Sequence, residues 1–272
     1  MLKVGVVGGG HILEHRHLPV LKKLDNVEVT AVCDIQESVA KRVSKQFGIP
    51  KYYTNFSEMV KDDLDFVDIC TPPKTHLSLA IEAMEAGHHV LAEKPLAMTP
   101  QEVDEMYSVA KKENVKLCVV HQNLSNPAFM KAKQLVDSGI VGDIINVEVG
   151  TYCQKDNVVV KNGKHCAHEL LGGIAFELLP HPIYILQVFL RNIKTSCVLA
   201  KKTGDYPWMK TDDVRVLMDS DNATGNVVCC TNSPFHGDTL NIFGTKMYLM
   251  VDLWGRSILC LLYTSPSPRD RS

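Results

Sequence analysis

The chain predicts an α/β fold: an N-terminal doubly wound parallel sheet followed by a C-terminal α+β domain with a large, mostly antiparallel open sheet. Up to about residue 122, short apolar runs alternate with helical patterns every 20 to 30 residues, the rhythm of parallel strands joined by crossover helices. After Asn126-Pro127 the rhythm changes, and strands near 194–203, 213–219, 225–232 and 246–253 follow one another without helices between them. The boundaries expected from this shift are 1–122 for a dinucleotide-binding domain and 123–258 for a substrate and oligomerisation domain.

The first strand is Leu2-Lys3-Val4-Gly5-Val6-Val7. Gly8-Gly9-Gly10-His11-Ile12 follows, and then a helical pattern of Leu13, His17, Leu18, Leu21 and Leu24. A strand, a glycine turn and a helix in this order can hold a dinucleotide. Gly8 permits the tight turn, Gly10 lets the backbone approach a pyrophosphate, and the helix N-terminus faces its negative charge. The third position of the glycine pattern is Leu13, where a small residue usually permits close helix–strand packing. The next strand, Val27 to Cys33, ends at Asp34, at the spacing of about 20 residues where a carboxylate accepts from a ribose 2′-OH. Asp34 can equally cap the helix expected over 37–47. Ile35 and Gln36 bring no cation for a 2′-phosphate, which favours NAD without excluding NADP.

Phe66-Val67-Asp68-Ile69-Cys70 reads as a buried strand that stops at Thr71-Pro72-Pro73, a rigid wall against which a flat nicotinamide or ribose can lie, or a plain turn. His76 opens the next helix, as a solvated first-turn residue or as a ligand. His89-Val90-Leu91-Ala92 is a further strand ending in Glu93-Lys94-Pro95. Ligands of open α/β sheets bind beyond the carboxyl ends of such strands, so Lys94 is placed to donate a hydrogen bond or proton in a crevice. The plain alternative is a surface Glu-Lys pair. A helix over about 100–113, begun by Thr99-Pro100, and a strand over 116–120 complete this half.

In the second half, Ile144 to Gly150 alternates as a longer strand, and one long helix is expected between Gly172-Gly173 and Arg191. It carries Glu177, His181, Tyr184 and Gln187, with Glu177 and His181 one turn apart on one face. A carboxylate beneath an imidazole orients the ring and raises its basicity, which suits a proton acceptor; an ordinary surface pair has the same spacing.

The 272 residues carry a formal net charge of −2 with no long run of one sign, so nucleic acid and anionic membrane surfaces are not expected partners. Nine cysteines without a CxxC pair read as reduced thiols of a cytoplasmic protein. No apolar stretch approaches the roughly 20 residues of a membrane span.

Taken together, the glycine turn, Asp34, Thr71-Pro72-Pro73 with His76, Glu93-Lys94-Pro95, and Gly172-Gly173 followed by Glu177 and His181 resemble the Gfo/Idh/MocA oxidoreductase family over about residues 1–255. The resemblance implies a Rossmann domain plus an open-sheet domain, homo-oligomers through that sheet, and NAD(P)-dependent oxidation of sugars, cyclitols and related polyols. It implies that Lys94 binds the reacting hydroxyl and His181 receives its proton. Glu177 stands where the family usually has Asp. Gly8, Gly10, His11 and Ile12 correspond to the phosphate turn, and Asp34 to the adenosine ribose contact. Thr71, Pro72, Pro73 and His76 correspond to the cofactor wall, Glu93 to a neighbour of the ribose or nicotinamide, and His165 and His168 to a substrate loop. No metal is implied. Alternatives are an NAD-dependent glycoside hydrolase of the same fold, a non-catalytic nucleotide-binding protein, and a zinc site made by His165, His168, Glu177 and His181.

Arg256-Ser257-Ile258-Leu259-Cys260-Leu261-Leu262 starts as if a strand were continuing, from Tyr263 the chain turns polar and proline-rich, and 259–272 reads as a non-native tail on a truncated reading frame.

Overall fold

Strand β1 (Leu2–Val7) pairs in parallel with β2 (Val27–Cys33) on one side and β4 (Phe66–Ile69) on the other. Outside β2 lies β3 (Lys51–Tyr53), and β5 (His89–Ala92) and β6 (Leu117–Val119) extend the sheet beyond β4. The order β3-β2-β1-β4-β5-β6 reverses direction between β1 and β4, the switch point at whose carboxyl edge open α/β sheets bind ligands. The computed structural model describes residues 1–154, 157–254 and 261–263. It divides into two units, Met1–Val120 and His121–Ser272.

The strands of the first unit are apolar because both faces are covered: Val4, Val6, Val67 and Ile69 have no exposed surface. One face packs against the π-helical turn Leu13–His17, α1 (Leu18–Leu21) and α2 (Glu37–Phe47). The other packs against α3 (Phe56–Met59), α4 (His76–Glu85) and α5 (Pro100–Lys112). The start of α5 follows from its sequence. Thr99 Oγ1 accepts the Glu102 N–H at 3.2 Å, Glu102 Oε2 accepts the Met98 N–H at 2.7 Å, and Pro100 occupies the first turn, where no N–H is needed.

In the second unit, α6 (Pro127–Asp137), β7 (Ile144–Gln154), α7 (Val158–Lys161), α8 (Ile174–Leu178) and α9 (Pro180–Leu186) come first. Then follow β8 (Lys194–Lys201), β9 (Asp213–Asp219), β10 (Thr224–Ser233), β11 (Gly237–Gly244), β12 (Tyr248–Asp252) and β13 (Leu261–Tyr263). The sheet order is β13-β12-β11-β7-β10-β9-β8. All neighbours are antiparallel except the central pair β7 and β10. Phe129, Ile185 and Leu186 from the helices meet Val147, Val149, Val227, Leu240 and Ile242 of the sheet in one core.

Three expectations are corrected here. The single long helix after Gly173 is two short ones meeting at Leu179, because Pro180 and Pro182 each lack the N–H that would bond back into the preceding turn. Strand β11 was not anticipated, since only Leu240 and Ile242 of its middle carry the buried alternation while Thr239 and Asn241 face outward. Strand β7 runs on past Gly150 to Gln154. Of the stretch set aside after about residue 258, Leu261–Tyr263 pair with β12, and the rest lies outside the described residues.

Candidate functional site

The three glycines after β1 have different surroundings. Gly8 has φ +90°, and a Cβ there would fall 2.9 Å from the Cys70 carbonyl oxygen at the end of β4, so only glycine fits the turn. At Gly9 a Cβ would fall 2.7 Å from Val39 Cγ1 of α2, so the close packing sought at position 13 is supplied here instead. Leu13 is fully buried among Val4, Val6 and Leu18 as a core residue. Gly10 is exposed with no atom within 4 Å of a Cβ position, and His11 and Ile12 beside it are also exposed, leaving the backbone open to a ligand.

Asp34, at the end of β2, turns its carboxylate to this loop. Oδ2 accepts the Gly9 N–H at 2.8 Å and Oδ1 accepts the Gln36 N–H at 2.9 Å. It therefore ties the glycine turn to the start of α2, while the helix cap position itself is Gln36. Nearby, Arg42 pairs with Glu14, whose carboxyl it holds below the usual range against the opposing effect of burial.

Thr71 and Pro72 follow β4, with Pro72 exposed and Pro73 buried at the start of a 3₁₀ turn. His76 does not face solvent or a ligand. It has no exposed surface; Nε2 lies 2.8 Å from the Thr71 carbonyl, and Nδ1 lies 3.1 and 3.2 Å from those of Pro95 and Leu96. Burial lowers its pKa against the opposing effect of these carbonyls, and the ring braces the wall from behind.

Beyond β5, Glu93 and Lys94 are half-buried, and the Lys94–Pro95 bond is cis. Glu93 Oε2 accepts the backbone N–H of Lys94 at 3.0 Å, and Oε1 lies 3.0 Å from His17 Nε2. The other ring nitrogen, Nδ1, lies 2.8 Å from Oδ2 of the fully buried Asp68 of β4. Burial on its own lowers an imidazole pKa, but the hydrogen bonds with Asp68, Cys70 and Glu93 outweigh it, and His17 is pushed up to about 12. Burial acts against the Glu93 carboxylate, yet His17 and Lys94 hold its pKa below the ordinary value. Nothing in the sequence distinguished His17 from its helical neighbours.

Among the described residues, His17, Asp68 and Cys70 are the grouping with potential metal-ligand atoms within 4.8 Å of one another. They do not fit an ion. Both ring nitrogens already face carboxylate oxygens, at 2.8 and 3.0 Å, so neither turns a lone pair toward an ion while those contacts stand. The zinc alternative, His165 with His168, Glu177 and His181, makes no such grouping among the described residues.

In the second unit, His181 stands in the first turn of α9 and Glu177 on α8, on either side of Leu179. The Tyr184 hydroxyl lies 3.0 Å from His181 Nδ1 and accepts the Asn123 N–H at 3.3 Å. The Tyr184 ring stacks on His121 with centroids 4.3 Å apart, and burial lowers the His121 pKa. Tyr184, which the helix pattern placed on the same stretch without a role, thus holds the His181 ring. A cavity of about 280 Å³ is lined by His168, Gly172, Gly173, Trp208 and Lys210, among others. His168 Nε2 donates to the Val159 carbonyl at 2.8 Å, whereas His165 caps a 3₁₀ turn through the Ala167 N–H at 3.2 Å.

Two family models match this chain: "Oxidoreductase family, NAD-binding Rossmann fold" over residues 2–121 and "GFO/IDH/MocA C-terminal domain" over residues 129–250. The chain belongs to the Gfo/Idh/MocA oxidoreductase family. "Oxidoreductase P35" of Formosa agariphila is 29% identical over 71% of this chain and 63% of its own length. Levoglucosan dehydrogenase of Pseudarthrobacter phenanthrenivorans is 32% identical over 56% of this chain and 41% of its own length. The myo-inositol 2-dehydrogenase of Thermotoga maritima is 31% identical over 52% of this chain and 42% of its own length. The chain thus spans less than two thirds of the length of each of these curated relatives. The fold matches scyllo-inositol dehydrogenase of Lactobacillus casei with bound NAD(H) and scyllo-inositol, at TM-score 0.84 and 22% identity over 92% of this chain and 76% of that one. As a Gfo/Idh/MocA chain it carries an NAD-binding Rossmann domain, and the open backbone at Gly10 with the Asp34 carboxylate beside the turn fits a dinucleotide.

Proposed function

We propose that this chain is an NAD-dependent oxidoreductase acting on a CH–OH carbon of a sugar, cyclitol or related polyol. The observation that carries the reading is the end of β5, the strand next to switch-point strand β4, where the backbone of Lys94 is fixed by a buried charged cluster. The levoglucosan dehydrogenase and myo-inositol 2-dehydrogenase among its relatives, together with the similar D-glucoside 3-dehydrogenase of Escherichia coli, support the substrate class.

The Gly8-Gly9-Gly10 turn, with His11 and Ile12, would hold the pyrophosphate, and Asp34 the adenosine ribose. Thr71 and Pro72, braced by Pro73 and His76, would wall the nicotinamide half, with Glu93 beside it. When bound, NAD supplies the hydride acceptor, and a carboxylate in place of a cation near the ribose favours it over NADP. Lys94 binds the substrate hydroxyl and stabilises negative charge developing on its oxygen. His181 removes the hydroxyl proton through Nε2, with its Nδ1 side held by Tyr184, and Glu177 adds a carboxylate to the same helical stretch. The cavity by His168 and Gly172-Gly173 takes part of the substrate; His165 supports that loop.

We place the protein in the cytoplasm because the eight described cysteines are free thiols. We read it as a homo-oligomer because Leu199 of β8 and Leu217 of β9, on one face of the sheet, are exposed. The test is an NAD-linked absorbance assay against inositols, glucosides and anhydrosugars. NADH formation with at least one of them is expected, and its absence with every one refutes the reading.

A further inference from the structure

Three segments that are distant in sequence meet at one imidazole. His17 closes the π-helical turn after the glycine loop, Asp68 sits in β4, and Glu93 follows β5. The His17 side chain is 10% exposed, that of Asp68 0% and that of Glu93 15%, so water contributes little to stabilising these charges. Both ring nitrogens are within hydrogen-bond distance of a carboxylate oxygen, at 2.8 and 3.0 Å. A neutral imidazole has one N–H and would turn a lone pair toward one of the two anions; only the doubly protonated ring donates to both. The remaining acceptors are also filled: Cys70 Sγ lies 3.8 Å from Asp68 Oδ1, and Glu93 Oε2 takes the Lys94 N–H at 3.0 Å. The groups facing the ring are thus Asp68, Cys70 and Glu93, with the Lys94 charge acting on Glu93.

We propose that His17 is a positioning residue, a permanently charged tie that holds Glu93, and through it the backbone of Lys94, against β4. The inference rests on the reading of Lys94 as the hydroxyl-binding residue. The mechanical chain is short. The imidazolium anchors one carboxylate oxygen of Glu93, the other anchors the peptide N–H from which the Lys94 side chain departs, and Asp68 anchors the imidazolium to the sheet. Releasing the first link lets the Glu93 carboxylate swing and the amine of Lys94 drift from its productive position, and a displacement of about 1 Å at a reacting group can cost on the order of 100-fold in rate.

The test uses the full chain, wild type and the variants His17→Gln, Glu93→Gln and the double variant, with scyllo-inositol, myo-inositol and methyl glucoside as probes. His17→Gln is expected to lower kcat by roughly ten- to a hundredfold, with KM and the NAD dissociation constant changing by less than about threefold. Because both residues act through one link, the double variant should be no worse than about threefold below the poorer single variant. Multiplying losses, or NAD affinity falling in step with kcat as a merely loosened glycine turn would give, overturns the proposal. Two spectroscopic readouts need no substrate. In ¹⁵N-labelled wild type at a pH of about 8.5, two units above the ordinary imidazole value of about 6.5, His17 should show two ring N–H protons, and one proton overturns the proposal. In His17→Gln the Lys94 amide signal should shift and lose exchange protection; an unchanged signal likewise overturns it. Absence of turnover by the wild type on every probe would count against the oxidoreductase reading alone, leaving the tie to be decided by the spectra, and the wild-type ring protons decide it if the variants do not fold.

Discussion

Replacing Gly8 by alanine separates what the glycine turn does for the fold from what it does for a ligand. At φ +90° an L-residue pays about 1–2 kcal/mol for the left-handed backbone. The new methyl would also sit 2.9 Å from both the Cys70 carbonyl oxygen and Thr71 Cγ2, where backbone has to move, and such overpacking costs about 1–3 kcal/mol. The sum is roughly 2–5 kcal/mol. With a urea slope of about 2 kcal/mol per molar, the midpoint of the first unit's transition should fall by roughly 1–2.5 M. Gly10→Ala is the matched control. It meets nothing within 4 Å, so its stability should stay within about 0.5 kcal/mol of the wild type, a midpoint shift of at most about 0.25 M. The methyl then stands where a pyrophosphate would approach, and NAD affinity measured by calorimetry should fall at least about tenfold. Equal midpoints for Gly8→Ala and wild type, or a Gly10→Ala variant that binds NAD normally, would refute the assignment of these two positions.

Lys94→Ala should lower kcat by about a hundredfold to a thousandfold while NAD affinity stays within about threefold, and unchanged turnover in steady-state kinetics would dismiss its role. Tyr184→Phe removes the hydroxyl beside His181 and leaves the buried Asn123 N–H unpaired. It should destabilise the second unit by about 1–3 kcal/mol in urea melts and lower kcat, and a variant as stable as wild type argues against the bond. The His17 imidazolium contributes to stability in full below the ordinary pKa of 6.5, and loses that contribution as pH climbs toward its folded value of about 12. Glu93 works in the opposite sense, its contribution being present above the ordinary 4.5 and fading as pH falls. Stability of wild type should therefore decline between about pH 7 and 10, by at most about 1.4 kcal/mol per pH unit for this one proton, and His17→Gln should show a flatter curve; parallel curves in urea titrations would contradict this.

The Rossmann half was legible because its signals are local: buried strands read as apolar runs, glycines mark the turn, and Glu93-Lys94-Pro95 ends a strand. Pairwise chemistry was not legible, since His17, Asp68 and Glu93 are 51 and 76 positions apart in the pairings that define them. His76 was read as solvated or ligand-facing because its burial depends on the carbonyls of Pro95 and Leu96, about which a helix start says nothing. The break at Leu179 was visible in principle as Pro180 and Pro182, but the apolar spacing around them hid it. Strand β11 was obscured by its outward polar residues, a consequence of having one face against the helices and the other without them.

The parallel pairing at the centre of the second sheet has a consequence for synthesis. Strand β7 leaves the ribosome early, yet its neighbours come late: Asn226 of β10 reaches Glu148 across 78 positions of chain. At roughly 5–20 residues per second, β7 spends about 4–16 s with both its edges open before a native neighbour exists. Its length and apolar alternation make that interval the period of greatest exposure to wrong partners, so a nascent chain of this protein should depend on whatever shields β7 during elongation more than the Rossmann half does.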